Sequence, residues 1–131
     1  MAAKSYTHDN NVINFFLRAN PTGLTSPATV YVGLFTVAPT PGTAGTECSG
    51  VNYARVAVTF ALPSNGVTQN SGVVTFPAAG AGGWGTVVAA GIFDSLAGGT
   101  LLYFGNLTAS KTIDELDVAS FANATLSITE Q

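Results

Sequence analysis

The chain has one histidine and one cysteine, His8 and Cys48, and these are its candidates for nucleophilic chemistry. A nucleophilic enzyme needs a general base within reach of the nucleophile and a third group that orients the base. His8 lies in the first turn of a predicted short helix, where we expect its ring to be exposed. Cys48 follows Glu47, and a neighbouring carboxylate raises the pKa of a thiol and makes it less reactive. The sequence therefore predicts a protein that is not an enzyme.

The carboxylates form one cluster, at Asp114, Glu115 and Asp117. Such a group could join carbonyl oxygens around Ca²⁺, but the run lacks the alternating ligands and the central glycine of a calcium loop. A solvated turn is the favoured interpretation. Asp94 follows a predicted strand, where an aspartate commonly accepts backbone hydrogen bonds in a turn. We predict no cofactor and no metal ligands, and calcium binding at the 114–117 turn is the open alternative.

The glycine-rich stretch "GAGGWG" contains no lysine and does not lead into a helix, so a phosphate cradle is not expected. Its tryptophan, Trp84, could join Tyr31, Tyr53 and Tyr103 in a sugar-stacking patch. Most of these rings lie in predicted strands, where core or interface packing is the commoner role. A tryptophan between glycines either fills its own core or anchors a subunit contact, and the sequence leaves both interpretations open.

Charge is scarce throughout the chain. Charged residues make up 8% of the 131 residues, against roughly 25% in ordinary globular proteins. The four basic residues are scattered and offer no patch for phosphates, so we expect no nucleic-acid partner. No apolar run approaches a membrane span, and the first residues lack an export signal, so we expect no membrane partner. A charge-poor surface indicates cover by other subunits, although a hydroxyl-rich β-domain that works alone is the alternative.

The N-terminal residues 1–20 form an arm with one predicted helix. Thr7 is the expected N-cap, Asp9 and Arg18 suit the two ends of the helix dipole, and Pro21 blocks continuation. The apolar residues of the segment fall on one face, which needs cover. That face packs either on its own sheet or on a neighbouring subunit. Its members are Val12, Ile13, Phe16 and Leu17.

Residues 21–131 are expected to form a single domain of short strands. Residues 29–37 are β-branched and aromatic, and residues 55–62 alternate with Val56, Val58, Phe60 and Leu62 on one side. Asn65-Gly66 is a favoured turn pair. The echo of "AVTFALP" in "VVTFP" indicates either the two arms of a hairpin or two equivalent sandwich strands. Seven or eight such strands with turn signals between them predict an all-β fold, an antiparallel, jelly-roll-like β-sandwich with the short helix as an appendage.

An ordered series of motifs resembles a known group of proteins. The series runs "YVGLFT…P", "YAR…VTF", "NSGVVTFPAA…WGTV", "GIFD…GGTLLYFGNLTASKT" and "ATLSIT". It is similar to small virion structural proteins of tailed bacteriophages, including tail-fibre-like ones, over residues 30–129. The resemblance implies a β-sandwich that assembles on the particle, and it carries no catalytic motif.

The resemblance does not decide between the head and the tail of the particle. A small stand-alone chain with a helical N-terminal arm favours a capsid decoration (cement) protein, which stabilises the phage head by binding the assembled lattice. The expected partners are the major capsid protein and copies of itself in a homo-oligomer, a trimer being one option. The alternative is a tail-fibre, baseplate or receptor-binding component, with a host receptor as partner. We expect synthesis in the host cytoplasm and a final location in the virion. The contact candidates are the 38–50 loop and Val12, Ile13, Phe15, Phe16, Leu17 and Trp84.

Overall fold

The computed structural model describes residues 3–130, and it contains one helix and short antiparallel strands. The helix, α1, spans Tyr6–Leu17. The strands are β1 (Ala3–Lys4), β2 (Val30–Val37), β3 (Thr46–Glu47), β4 (Val56–Val58), β5 (Val67–Gln69), β6 (Val74–Thr75), β7 (Gly85–Phe93), β8 (Leu101–Ile113), β9 (Ser120–Phe121) and β10 (Ser127–Thr129).

The helix begins two residues earlier than the sequence indicated. Ser5, in extended conformation, caps it by accepting a hydrogen bond from the backbone N–H of His8. Thr7, the expected cap, therefore lies inside the first turn, as does Asp9. Both candidates can cap a helix, but β1 already holds the residue before Ser5 in extended backbone, which leaves Ser5 in the geometry that a cap requires.

The large sheet has the strand order β1-β8-β7-β2-β3, and β4 also pairs with β2. All of these pairings are antiparallel. The β7–β8 pair is a hairpin, as the sequence predicted, and Phe93 pairs with Leu101 beside its loop. Asp94 accepts a hydrogen bond from the Thr100 backbone N–H at 2.8 Å, which confirms its structural role in that loop.

Two short two-stranded sheets, β5–β10 and β6–β9, form the second layer. The main core lies between this layer and the large sheet. Val32 and Leu34 come from the large sheet, whereas Val74 and Phe76 come from the second-layer side. Because two antiparallel layers enclose one apolar core, the predicted all-β sandwich with a short N-terminal helix is confirmed.

The buried side chain of Asn70 links backbone segments of the second layer by hydrogen bonds. Its side chain is 1% exposed. The Nδ2 group donates to the carbonyl oxygens of Gly72 and Ala122, and Oδ1 accepts from the backbone N–H groups of Thr125 and Leu126. One amide therefore satisfies four backbone groups at the junction of the chain segments that lead into β6 and β10.

The predicted strand 55–62 is shorter than expected. Only Val56–Val58 form β4, Phe60 makes an isolated bridge with Asn70, and Leu62 is 93% exposed. The alternation prediction is therefore wrong at Leu62, because the chain has left the sheet and approaches the Asn65-Gly66 turn. That turn is confirmed: both residues have positive φ, and Ser64 bridges Val67 across it.

Candidate assembly surface

The C-terminal half of α1 presents large apolar side chains to solvent. Ile13 is 50% exposed, Phe15 41%, Phe16 72% and Leu17 80%. Val12 is half-buried. The apolar face predicted from the sequence exists, but the sheet of the same chain does not cover it. We call the group Ile13, Phe15, Phe16 and Leu17 the α1 apolar surface.

Several polar contacts fix the start of α1 to the sandwich. Ser5 Oγ donates to the carbonyl oxygen of Leu101 at 2.6 Å, and the Tyr6 backbone N–H donates to Pro41 at 2.8 Å. Lys4 Nζ lies 2.7 Å from Glu130 Oε1 and 3.3 Å from Asp9 Oδ1. The helix is therefore anchored near its first turn, at a place where both ends of the chain meet.

His8 is the one buried residue of α1, so the expectation that it is exposed is wrong. Its ring meets the Tyr103 ring edge-on, with centroids 5.3 Å apart. Burial lowers the pKa of His8 below its ordinary value, and the nearby Lys4 cation lowers it further. The His8 ring thus packs the first turn of the helix against β8. A helical pattern alone does not show this, because the burying partner is distant in sequence.

Beyond the helix, the chain folds back and makes contact with it. Asn11 Nδ2 donates to the carbonyl oxygen of Gly23 at 2.8 Å. The chain reverses at Ala19, which has a φ of 52°, and Asn20 donates its backbone N–H to Asn14. These contacts use the polar side of α1, so they leave the α1 apolar surface uncovered.

Trp84 fills its own core, which decides between the two interpretations that the sequence left open. It is 5% exposed, and its Nε1–H donates to the carbonyl oxygen of Val51 at 2.9 Å. Tyr53 packs against the indole edge-on at a centroid distance of 5.3 Å, and Phe76 at 6.3 Å. A subunit anchor or a sugar-stacking patch needs exposed rings, so Trp84 and Tyr53 do not supply one in this structure.

The 38–50 loop is joined to the core by an ionic cluster at its end. Glu47 binds the Arg55 guanidinium through both carboxylate oxygens, at 2.8 and 2.9 Å, and accepts a hydrogen bond from Tyr53 at 2.6 Å. Burial opposes ionisation of Glu47, but these donors outweigh it and hold the pKa of Glu47 below its ordinary value. Arg55 also donates to the carbonyl oxygens of Ser95 and Gly98, so it fastens the β7–β8 loop.

Cys48 is buried beside this cluster. Desolvation, together with the negative charge of Glu47, raises the pKa of the Cys48 thiol to about 11. The direction predicted from the sequence is confirmed. A thiol with this pKa is almost wholly protonated at neutral pH, so it is a poor nucleophile.

The acidic segment forms a turn whose own backbone uses one of its carboxylates. Asp117 Oδ2 accepts a hydrogen bond from the Asp114 backbone N–H at 2.9 Å. Within residues 3–130, the structure brings no three histidine, cysteine, aspartate or glutamate side chains into a group suited to hold a metal ion. In the same range, no helix is long and apolar enough to cross a membrane.

An apolar cavity of about 550 Å³ opens at one end of the sandwich, between the two layers. Glu130 lies at the cavity beside Tyr103, whose hydroxyl donates to the Glu130 carboxylate. Sequence reasoning missed this cavity because its lining comes from five separate segments, and no local pattern indicates that they meet. The apolar lining includes Val30, Phe60, Pro63, Ile92, Leu102 and Ile128.

Comparison with known families adds a decisive observation. A family model described as Podophage GP4 fiber I protein gp80 matches residues 3–129 of the chain. The chain belongs to this family of podophage fibre proteins. No curated protein matches it significantly. As a member of the fibre family, the chain is a structural protein of a tailed-phage virion, which confirms the resemblance and the broader functional prediction drawn from the sequence.

Proposed function

We propose that this protein is a structural subunit of the phage tail fibre and that it joins other virion proteins through α1. The observation that carries the proposal is the α1 apolar surface, in which Phe16 and Leu17 are 72% and 80% exposed on a helix whose first turn is anchored to the sandwich. The family description, which names a fibre protein, supports the tail rather than the head.

The energetics of this surface suit a subunit contact. Full burial of a leucine or phenylalanine side chain stabilises an association by roughly 1.5–3 kcal/mol. Phe16 and Leu17 alone therefore supply at most about 3–6 kcal/mol of favourable free energy before the costs of association, which are roughly 4–15 kcal/mol. One such contact is weak, but repeated contacts in a symmetric assembly give a stable structure.

The proposed role is mechanical and does not involve catalysis. The two groups that sequence reasoning weighed as nucleophile and base are both buried, with a raised pKa at Cys48 and a lowered pKa at His8. They also come from separate regions: Cys48 packs in the main core, whereas His8 contacts Tyr103. We infer synthesis in the host cytoplasm followed by assembly into the tail.

Capsid decoration, the function favoured by the sequence, is the competing assignment. In that case the α1 apolar surface would bind the major capsid protein instead of another fibre subunit. The two assignments share the same surface but place the protein on different parts of the particle. Location on the virion therefore separates them.

The test is cryo-electron microscopy of virions labelled with gold-tagged antibody fragments against this chain. We expect label on the fibres around the tail and none on the head above the background given by an unrelated fragment. Label spread over the head would overturn the tail-fibre proposal and support capsid decoration. Disruption of virions into head and tail fractions, followed by immunoblotting, gives an independent readout.

A further inference from the structure

Two apolar features lie open to solvent in the described part of the chain. They are the α1 apolar surface and the cavity at one end of the sandwich. We propose that α1 of one copy docks into this cavity of a second copy. The inference rests on the proposed function and deepens it, because it names the partner of the helix. It also commits the helix to a copy of the same chain rather than to another virion protein.

A single copy does not bring its own helix and cavity together. The residues that line the cavity belong to β2, β7, β8, β10 and the 60–68 hairpin, together with Glu130 just after β10, and none belongs to α1. The helix begins beside the cavity, where His8 touches Tyr103. Phe16 is eight residues further along, roughly 12 Å at the rise of an α-helix, and is exposed.

The apolar chemistry of the two features matches. Ile13, Phe16 and Leu17 follow the i, i+3, i+4 spacing by which amphipathic helices fill apolar grooves. The cavity has a volume of about 550 Å³, which falls within the range of roughly 300–1,000 Å³ typical of well-formed binding pockets. Several large side chains that are only half-buried, such as Val30, Phe60 and Ile128, line it and gain cover when a helix enters.

Charge complementarity sets the direction of the helix. Arg18 follows Leu17 directly, is exposed, and donates from Nη1 to Asn14 Oδ1, so other N–H groups of its guanidinium face solvent. Glu130 is the one carboxylate that lines the cavity, and its side chain is 46% exposed although it already binds Lys4 and Tyr103. Each carboxylate oxygen has two acceptor positions, so Glu130 can accept a further donor from Arg18.

The contact joins two different surfaces, so it is a head-to-tail contact. Each copy that joins uses one helix and one cavity, and the assembly keeps a free helix at one end and a free cavity at the other. Repetition of such a contact closes a ring or extends a filament, depending on the rotation between neighbours. Both a ring and a filament are compatible with a subunit of a fibre.

Cross-linking between variants that each add one cysteine to the full chain tests the inference. The native Cys48 is buried with a raised pKa, so it contributes little background. Phe16→Cys mixed with Leu102→Cys should form a mixed disulfide dimer roughly tenfold faster than Phe16→Cys mixed with Ser110→Cys, because docking raises the effective concentration. Ser110 is exposed on β8, eight residues from Leu102, or about 26 Å along the strand.

Pro63→Cys, at an exposed position on the cavity rim, repeats the test in case Leu102→Cys perturbs the fold. Equal rates for the cavity and Ser110 partners would overturn the inference. So would faster dimer formation by Phe16→Cys alone, because that result means that two helices pair with each other. The labelling experiment is read separately: fibre label without cavity cross-links keeps the proposed function and removes this inference, and head label with cavity cross-links does the reverse.

Discussion

Aromatic side chains are buried in the sandwich interior but largely exposed on the helix α1. In the interior, Trp84 and Tyr53 are enclosed, and both have hydrogen-bond partners for their polar atoms. On α1, Phe15 and Phe16 pack on each other with centroids 4.9 Å apart, and they remain 41% and 72% exposed. The sandwich therefore completes its own packing, whereas the helix has a surface suited to a partner.

The few charged residues of the chain are also distributed differently between the sandwich and α1. Arg55 and Glu47 form a half-buried pair that holds loops to the sheet, and Lys4 and Glu130 join the two ends of the chain. These charges maintain the fold. The α1 apolar surface has one flanking cation, Arg18, at its end. This distribution fits a protein whose surface is to be covered by other subunits.

The largest difference in unfolding free energy is expected when one aromatic ring is removed from each region. Trp84→Ala should lower the free energy of unfolding of the monomer by about 3–5 kcal/mol, because it leaves a cavity in the core. Phe16→Ala, the matched control, should change it by less than about 0.5 kcal/mol. Urea unfolding of dilute protein measures both. Similar losses in the two variants would mean that α1 is part of the folding core.

A second large effect is expected at Asn70. Asn70→Ala removes the partners of four backbone groups, and unsatisfied buried groups cost about 1–3 kcal/mol each, so we expect a loss of about 2–4 kcal/mol after local rearrangement. The control is Asn123→Ala, which removes one exposed acceptor from the Gly72 backbone N–H and should cost about 1 kcal/mol or less. The same unfolding assay distinguishes a fastening role for Asn70 from simple polarity at that position.

A smaller effect separates the two arginines. Arg55→Lys keeps the charge but loses the paired geometry with Glu47, and we expect a loss of about 1–2 kcal/mol in unfolding free energy. Arg18→Lys on the exposed helix end should be close to neutral in the monomer. Equal effects would show that the guanidinium of Arg55 contributes only its charge.

The smallest expected effect is on the pH dependence of stability, through the buried His8 of α1. Because the pKa of His8 lies below its ordinary value of 6.5 in the folded chain, the unfolded chain binds the proton first, and stability should fall as pH drops below 6.5. Glu47 and Glu130 have lowered pKa values, so their contributions are lost only as pH drops below 4.5. His8→Phe should remove the decline between these two values and leave the one below 4.5. A wild-type profile without the first decline would contradict the burial of His8.

Sequence reasoning predicted the features that depend on neighbouring residues. The Asn65-Gly66 turn, the β7–β8 hairpin and the raised pKa of the Cys48 thiol are of this kind, because turn geometry and adjacent charge act over a few residues. The features that it missed depend on distant contacts. His8 is buried by Tyr103 from β8, and Leu62 lost its place on the sheet because the chain turns away to form the next hairpin. The cavity forms only where five separate segments of the chain meet, so no local sequence pattern predicts it.

The most direct test of the account is incorporation of a helix-surface variant into virions. A phage deleted for this gene is complemented with wild type, Phe16→Glu/Leu17→Glu or the control Val73→Glu, which adds a carboxylate at an exposed apolar position outside both the helix and the cavity. With folding of all three verified by circular dichroism, we expect the helix variant in purified particles at roughly a tenth of the wild-type copy number or less, a loss that corresponds to about 1.4 kcal/mol or more. The control should enter normally. Full incorporation of the helix variant would contradict the claim that α1 joins this protein to its neighbours.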